Sequence, residues 1–458
     1  MASSLVHPSL PKHKNLQPPS LRTTRIPTAI ILLQKCHNFQ EIRQLHAQLV
    51  VSGLLDRPPN AGKLIESYVS MYQIYDALSV FNSISSPDVF TYNTMIRGLT
   101  VGSMNSAESV LAEFSEENVV AKNSMISGYM SQGHVGNAKA MFDGMSSKDT
   151  ATWSAMVTGY AKNGMHSEAL FTLQEMTVSK VIANESTLVS ALSACSHLGA
   201  LDQGRWMHAY IDKIGIKVSV TLGTALVDMY AKCGSIDCSY EVFRSMPRKD
   251  VVTWGVIMAG FAVHGRTEKC FELFGEMIDN GTPPNEIIFV AMLSACSHGG
   301  YVELGHSLFN QMIHDFGIRP SVEHYGCMVD LLGRARQLAE AEELIASMSE
   351  EPNSTIWGAL LSACRIHGDV QRGRRAFRQL IELEPMSGDR YKLAGQMFAD
   401  VGEREDAVNI RKFIKERNLD TTCGSSFIEV DGVIHEFMVG DNDHSRAQEI
   451  YGMLEGIH

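Results

Sequence analysis

Three short segments carry a cysteine followed two or three residues later by a histidine, and both residue types bind zinc. The pairs are Cys195 and His197, Cys296 and His298, and Cys364 and His367. A zinc site needs four ligands that converge on one point, whereas these pairs lie tens of residues apart along the chain. We therefore predict packing cysteines and turn histidines here, and no metal or other cofactor.

A second candidate for catalysis is a deaminase-like signature. His166, Ser167 and Glu168 match the H-x-E half of the zinc site in nucleobase deaminases, where the glutamate moves protons. The other half, P-C-x-x-C, is missing, because no two of the nine cysteines are three residues apart. No phosphate-binding glycine loop and no Ser/His/Asp arrangement stands out in the sequence either. We expect that the chain is not an enzyme and has no small-molecule substrate.

The composition excludes several classes of protein. The 458 residues include 39 Lys and Arg against 51 Asp and Glu, a net charge of −12, and 45% are hydrophobic, so the chain should fold. The longest uncharged apolar stretch, residues 251–263, is shorter than the ~20 residues of a membrane helix, and we expect no membrane partner. Nine thinly spread cysteines indicate a reducing compartment.

The first 40 residues differ from the rest in charge. They contain no acidic residue, are rich in Ser, Thr and Pro, and carry five basic residues: Lys12, Lys14, Arg22, Arg25 and Lys35. This composition is typical of an organellar transit peptide, which we place at residues 1–26, and it predicts a mitochondrial or chloroplast protein. An ordinary disordered terminus is the alternative.

The strongest pattern is an internal repeat at a shift of 101 residues, which aligns 187–199 (TLVSALSACSHLG) with 288–300 (IFVAMLSACSHGG). It divides into units of 31 to about 35 residues. In each unit an apolar segment and a glycine-containing break precede a second segment that ends in an apolar pair three residues apart. That spacing puts both members on one helix face. The pairs are Phe81/Ile84, Phe142/Met145, Leu173/Met176, Phe243/Met246, Phe274/Met277, Phe309/Met312 and Ile345/Met348.

Each unit is therefore predicted to be a helical hairpin whose apolar stripe packs on the next unit. A hairpin of this size cannot bury its own apolar face, so the units must stack. We predict an all-α, right-handed superhelical solenoid of helix-turn-helix repeats over residues 27–353. The breaks contain a glycine, which can end a helix with positive φ, at Gly133, Gly164, Gly199, Gly234, Gly265 and Gly333.

Three segments carry a family resemblance. Residues 229–250 (MYAKCGSIDCSYEVFRSMPRKD), 159–176 (GYAKNGMHSEALFTLQEM) and 191–215 (ALSACSHLGALDQGRWMHAYIDKIG) resemble the short, standard and long motifs of plant pentatricopeptide repeat (PPR) proteins of the PLS subgroup. The resemblance implies TPR-like hairpins in about ten units: 27–57, 58–88, 89–118, 119–149, 150–184, 185–219, 220–250, 251–285, 286–321 and 322–353.

One unit departs from this pattern. Residues 89–100 resemble the front of a standard motif, whereas 102–118 resemble the back of a short one. We still expect a hairpin in this aberrant unit, 89–118. One interpretation of the join is the loss of a triplet of units, either in evolution or through the gene model.

The end of the chain also resembles this family. Residues 354–421 are similar to its E domain, which implies two TPR-like helical hairpins. Residues 422–458 are similar to the extension that follows, with a short helix at the end. There, apolar and polar residues alternate on both sides of Asp431 and Gly432, which predicts a short C-terminal β-hairpin. Relatives that carry a DYW deaminase have it just after such a tail, so we expect this chain to lack that domain.

The resemblance implies that each hairpin reads one base of single-stranded RNA through two polar positions. One lies in the first helix and the other ends the unit. The base-reading pairs are Asn93 with Asn118, Asn123 with Asp149, Ser154 with Asn184, and Thr224 with Asp250. The family's code assigns them a pyrimidine, U, A and G, giving Y-U-A-N-G with one unread base. Valine or glycine at the same position leaves four units poor readers: Val189, Gly255, Val290 and Gly326.

Two further sets complete the predicted site. The second residue of a first helix should sandwich between bases, although simple packing at a helix start is an equal alternative. Cations at position thirteen of their units should contact phosphates, unless they are scattered solvated side chains. The base-sandwiching set is Phe90, Val120, Ala151, Thr221 and Val252, and the phosphate-contacting set is Lys162, Lys232 and Arg334.

The sequence thus favours an organellar, sequence-specific single-stranded RNA-binding protein. It would recognise a site for C-to-U RNA editing, and its E domain would recruit a DYW-type deaminase or an editing accessory protein in trans. An RNA stabilisation or splicing factor is the alternative within RNA binding. A TPR-like protein interaction scaffold is the alternative from another class. We expect the polar residues at the reading positions and unit ends to discriminate, because a scaffold has no evident need of them.

Overall fold

The computed structural model describes residues 31–36, 38–113, 118–419, 425–430 and 433–438, together with 449 and 453. The predicted transit peptide and the turn at Asp431 and Gly432 lie outside the described residues. So does most of the terminal segment in which we predict a short helix. The chain divides into two compact units, Met1–Asn163 and Gly164–His458.

The first compact unit is a stack of helices. In chain order they are α1 (Phe39–Val51), α2 (Asn60–Ser70), α3 (Ile74–Ser83), α4 (Val89–Gly102), α5 (Met104–Glu113), α6 (Val119–Ser131), α7 (Val135–Asp143) and α8 (Thr150–Lys162). The first helices of successive repeats, α2, α4, α6 and α8, pack side by side in that order. The second helices α3, α5 and α7 each pack on their own first helix and on the next one.

The second compact unit continues the same design and adds two strands. Its helices are α9 (His166–Val178), α10 (Glu185–Leu198), α11 (Leu201–Ile214), α12 (Val220–Lys232), α13 (Ile236–Ser245), α14 (Val251–Val263), α15 (Thr267–Asp279), α16 (Glu286–Gly299), α17 (Val302–His314), α18 (Val322–Arg334), α19 (Leu338–Ala346), α20 (Ser354–His367), α21 (Val370–Leu383), α22 (Gly388–Asp400) and α23 (Arg404–Arg417). The even-numbered helices α10 to α22 pack in a row. The predicted helical solenoid class is thus confirmed.

Most members of the predicted apolar pairs are buried in the core, but not all of them lie on a helix. Met176, Met277 and Met312 are fully buried and helical, as predicted. In the short units the second member lies beyond the helix end: Met145 follows α7 and Met246 follows α13, yet both are buried. The one-face argument was therefore wrong for short units, where the chain leaving the helix carries the side chain back into the core.

The glycine predicted to break the hairpin at 333 has a different role. Gly133, Gly164 and Gly234 adopt positive φ at the turn, as predicted. Gly333 instead lies inside α18, and the positive φ of that turn falls on Arg336. A Cβ on Gly333 would lie 2.7 Å from the Cβ of Ala363, so the glycine is needed for close packing of α18 on α20.

The aberrant unit forms a hairpin, as predicted. Helices α4 and α5 pack together and are separated by Ser103 alone. The Ser103 hydroxyl oxygen lies 2.9 Å from that of Ser106, in the first turn of α5. Residues 114–117, at the end of this unit, lie outside the described residues.

Helices α20 to α23 form two further hairpins, which is the arrangement predicted for the E domain. Their core is continuous with that of the preceding repeat: Leu332 and Ile345 belong to the same buried cluster as Leu361, Met397 and Ala407. In the described part of the chain, no helix has both the length and the apolarity to cross a membrane.

The tail contains the predicted β-hairpin, with β1 (Ser425–Val430) antiparallel to β2 (Val433–Met438). It folds back onto the repeats. The Glu429 carboxylate accepts hydrogen bonds from the backbone N–H groups of Asp202 (2.7 Å) and Gln203 (3.1 Å), which caps the start of α11. Val433 and Ile434 line a cleft of about 670 Å³ against α9 and α11.

Candidate nucleic-acid interface

The unit-end residue of each predicted reading pair is the N-cap of the first helix of the next unit, and its side chain caps that helix. The side-chain oxygens of these N-caps accept from a backbone N–H three residues later: Asn118 from Ala121 (3.1 Å), Asp149 from Thr152 (2.8 Å), Asn184 from Thr187 (2.9 Å) and Asp250 from Thr253 (2.9 Å). Asn, Asp and Ser are the preferred N-caps in any helix.

This capping corrects the reasoning that a scaffold would not need polar unit ends. Asp88, Asn285 and Asn353 cap α4, α16 and α20 in the same way, although none belongs to a predicted reading pair. The polar residue at a unit end is therefore explained by helix stability alone. Only the reading residues inside the helices, where Asn and Thr are poor helix formers, still argue for a ligand.

The structure brings two predicted reading pairs into direct contact. Asn118 Nδ2 donates to Asn93 Oδ1 at 2.5 Å, and Asn123 Nδ2 donates to Asp149 Oδ1 at 3.1 Å. Both contacts join the first turn or two of one first helix to the N-cap of the next. The helix stack thus presents a pair of polar side chains at each of these junctions.

The third pair is bridged. Thr224 Oγ1 lies 2.7 Å from the Oγ1 of Thr253, and Thr253 Oγ1 donates to Asp250 Oδ1 at 2.8 Å. Sequence reasoning missed Thr253, whose signal is a threonine three residues after an N-cap. Ser154 and Asn184, the fourth pair, belong to different compact units, and their joint role stays a prediction.

Two details of the Asn123 pair affect its chemistry. Burial raises the pKa of Asp149, but hydrogen bonds from the backbone and hydroxyl of Thr152 and from Asn123 outweigh it, so the pKa lies below its ordinary value. Asp149 therefore remains an acceptor at neutral pH. Asn123 Oδ1 is enclosed and has no hydrogen-bond partner within the described structure. An unsatisfied enclosed acceptor is costly and therefore uncommon.

The predicted base-sandwiching residues differ in how far their side chains are exposed. Val120 and Val252 are 56% and 47% exposed, and the smaller Ala151 and Thr221 are exposed too. Phe90 is half-buried: its ring packs on Gly62, where an added Cβ would meet the ring at 2.4 Å. Four of the five positions therefore present side-chain surface, whereas Phe90 already has a packing role.

The predicted phosphate-contacting residues are the last residues of their first helices, and all three are exposed: Lys162 of α8, Lys232 of α12 and Arg334 of α18. Two of these cations are engaged. Lys232 Nζ lies 2.9 Å from Asp228 Oδ2, and Arg334 Nε lies 2.9 Å from Asp330 Oδ2. Lys162 has Thr158, not an acid, four residues before it.

The Cys and His residues that we do not expect to bind zinc take part in packing and in hydrogen bonds of the fold. Cys195, Cys296 and Cys364 are fully buried, and burial raises the pKa of the Cys296 and Cys364 thiols to about 12. His298 and His367 lie 3.0 and 2.8 Å from a backbone oxygen of the preceding first helix. Within the described ranges, no three His, Cys, Asp or Glu side chains group as metal ligands would.

Comparisons with known proteins fit this architecture. Family models described as PPR repeat match residues 120–150, 151–181, 224–251, 287–315 and 323–352, the PPR repeat family model matches 249–298, and the E motif model matches 367–429. The chain is 32% identical to the Arabidopsis thaliana pentatricopeptide repeat-containing protein At5g56310 over 495 residues, covering 92% of this chain and 93% of that protein. The chain belongs to the pentatricopeptide repeat family.

Two other Arabidopsis thaliana PPR proteins carry an organelle in their names. The chain is 41% identical to the chloroplastic At1g08070, over 74% of this chain and 46% of that protein. It is 39% identical to the mitochondrial At2g22410, over 93% of this chain and 68% of that protein. These relatives agree with the organellar localisation predicted from the leader. The chain spans about half the length of At1g08070 and nearly all of At5g56310.

Solved structures support the fold. The chain is similar to the crystal structure of the PPR protein PPR10 in complex with an 18-nucleotide psaJ RNA element, with a TM-score of 0.63 and 17% identity, over 84% of this chain and 59% of that one. A second crystal structure, of the pentatricopeptide repeat protein PPR10 from maize, matches with a TM-score of 0.55 and 18% identity. At this identity the likeness establishes a shared helical-repeat fold.

Proposed function

We propose that this PPR protein binds single-stranded organellar RNA in a sequence-specific way and specifies a site for C-to-U editing. The observation that carries the proposal is a polar side chain that recurs at the fifth position of several first helices. Asn93, Asn123 and Thr224 occupy this position, and each contacts the polar start of the next helix. Such short polar groups have fixed donors and acceptors that can match a base edge.

The spacing along a first helix suits a nucleotide. Thr224 and Lys232 lie on α12 eight residues apart, and so do Ser154 and Lys162 on α8. At ~1.5 Å per residue this is about 12 Å along the helix. A base could lie at the N-terminal end of the row while its phosphate meets the cation at the C-terminal end. PPR10, which has a similar fold, was crystallised with RNA.

Direct base contacts rather than bulk charge should supply the affinity. With a net charge of −12, the protein as a whole repels a polyanion, and two of its three predicted phosphate contacts already have an acidic partner. Non-specific binding should therefore be weak. We propose Y-U-A-N-G, 5′ to 3′, as the sequence read by the four pairs.

The E motif supports the editing part of the proposal. In our account, helices α20 to α23 lie beside the target cytidine, a few nucleotides 3′ of the last repeat, and recruit a deaminase supplied in trans. A factor that stabilises or splices its RNA would use the same reading row. A protein-binding scaffold is favoured by one observation, the capping role of the unit ends, because it leaves fewer residues that need RNA to explain them.

Sequencing of organellar cDNA from plants that lack this gene tests the proposal. Complete loss of C-to-U conversion at one or a few sites, each preceded by Y-U-A-N-G, is the expected result. Unchanged editing with altered transcript ends, abundance or splicing would replace the editing role with the stabilisation or splicing role. Unchanged RNA in every respect would favour the scaffold.

A further inference from the structure

We propose that Thr253 is a positioning residue that turns the Thr224 hydroxyl into a hydrogen-bond acceptor and thereby makes this repeat select guanine. This inference rests on the proposed function, because it concerns how one base-reading position acquires its preference. It assigns a role to Thr253, which is not a member of the reading pair formed by Thr224 and Asp250.

The direction of each hydrogen bond follows from which groups can donate. Asp250 Oδ1 accepts from the Thr253 N–H at 2.9 Å and from the Thr253 hydroxyl at 2.8 Å. A carboxylate only accepts, so the single hydroxyl hydrogen of Thr253 is committed to Asp250. The contact of 2.7 Å between the Oγ1 atoms of Thr224 and Thr253 must therefore take its hydrogen from Thr224. Thr224 donates inward and retains only acceptor capacity for a ligand.

The resulting pair of reading groups consists of two acceptors. One is the Thr224 hydroxyl oxygen and the other is the Asp250 carboxylate. Asp250 Oδ1 accepts from the Thr253 hydroxyl, and Oδ2 remains for a ligand. Guanine is the base with two adjacent donors, N1–H and N2–H, on its Watson–Crick edge. Adenine and cytosine pair one amino donor with an acceptor, and uracil has one donor between two acceptors. Two acceptors side by side therefore match guanine best.

The repeat that carries Asn123 shows why Thr224 needs Thr253 as a bridge to its cap. Thr152 occupies the same place beside Asp149 as Thr253 does beside Asp250, and its hydroxyl also donates to the cap, at 2.8 Å. The longer Asn123 side chain bypasses it and donates to Asp149 directly. Threonine carries its hydroxyl on Cβ, one bond closer to the helix than the Asn amide group, so Thr224 meets the cap through Thr253.

Burial makes the relay rigid. Thr253 and Thr152 are both fully buried, with 0% of each residue exposed, so neither hydroxyl can exchange its protein partner for water. The rotor of Thr224 is then set by its neighbour in the next helix rather than by the solvent. This gives a matched pair of threonines: both support a cap, but only Thr253 also holds a reading side chain.

The experiment compares Thr253→Val, Thr152→Val and Thr253→Ser with the natural chain. The probe is a fluorescein-labelled 12-nucleotide RNA that contains C-U-A-N-G or the same sequence with the final G replaced by A. The full chain is titrated against each RNA, and the ratio of the two Kd values measures the guanine preference. Each valine variant loses one hydroxyl that supports a helix cap. The two substitutions should therefore lower the thermal unfolding temperature by similar amounts.

We expect the guanine preference to fall by about fivefold in Thr253→Val, the effect of one ordinary hydrogen bond, because the freed Thr224 hydroxyl can then donate to other bases. Thr253→Ser should keep the preference, and so should Thr152→Val. Full preference in Thr253→Val, or an equal loss in Thr152→Val, would overturn the relay. If the natural chain itself binds the two RNAs equally, the reading role of Thr224 and Asp250 fails, which is a failure of the proposed function.

Discussion

Two aspartates restrain the cations that are predicted to contact phosphates, so removing them should strengthen RNA binding. Asp228 and Asp330 lie four residues before Lys232 and Arg334 and hold them at 2.9 Å. Both cations are more than half exposed, with side-chain exposures of 56% and 54%. A phosphate that takes either cation must first disrupt an exposed intrahelical ion pair.

The magnitude follows from the strength of such pairs. An exposed i, i+4 ion pair contributes about 0.3–0.5 kcal/mol. Removing that competition should increase the affinity for RNA roughly twofold per position, or about fourfold in the Asp228→Asn, Asp330→Asn double variant. The gain should be similar for RNAs of different sequence, because phosphates carry no base identity. It should shrink as salt screens exposed charges.

The assay is fluorescence anisotropy of the C-U-A-N-G RNA at several salt concentrations. Asp237→Asn is the matched control for each single variant, Asp228→Asn or Asp330→Asn: it also removes one negative charge from an exposed ion pair, with Arg266 at 2.6 Å, on the second helix α13. We expect little change in that control. Equal gains in the control and the single variants, or no gain in any of them, would show that Lys232 and Arg334 do not lie on the phosphate path.

Three other predictions concern single sites. Thr224→Asn should shift the preferred base at that position from G toward U, measured by the same titrations, and an unchanged preference would refute the code assigned here. In the native protein at pH 8, Cys296 should be alkylated by iodoacetamide far more slowly than in denaturant, because a pKa of about 12 leaves roughly one thiolate in ten thousand; equal rates by peptide mass spectrometry would contradict its burial. Glu429→Ala should speed hydrogen exchange at the amides of Asp202 and Gln203, because it removes the cap of α11. The control Glu436→Ala on β2 should leave this exchange unchanged. Equal exchange in both variants would show that the β-hairpin does not dock on α11.

The helical repeat was predictable because it depends on local periodicity. The spacing of Phe274 and Met277, and of Leu173 and Met176, already indicated an apolar stripe that the next repeat must cover. Turn glycines such as Gly234 were predictable for the same reason, since positive φ favours glycine. The β-hairpin followed from alternation around a two-residue turn.

Features that depend on the distance between repeats were not predictable. A glycine that permits a close approach, Gly333, cannot be distinguished in sequence from one that ends a helix. The contact of Glu429 with α11 joins residues more than two hundred positions apart, and nothing local to either signals it. The bridge through Thr253 depends on which side chain of one helix faces the cap of the next.

The polar unit ends show where a sequence signal had two causes. Asp149 and Asp250 were predicted from the family resemblance to read bases, and the structure reveals that each caps a helix. Helix capping and RNA recognition both favour Asn or Asp at the end of a unit. The reading residues Asn123 and Thr224 are not needed as caps, so they carry more information about a ligand than the unit ends do.

The most direct test of the account is selection of RNA from a random single-stranded pool by the full protein, followed by sequencing of the bound fraction. We predict enrichment of Y-U-A-N-G, with the strongest bias at the U and G read by the Asn123 and Thr224 pairs. Binding without any enriched motif, or a motif unrelated to these pairs, would contradict sequence recognition through the first-helix row.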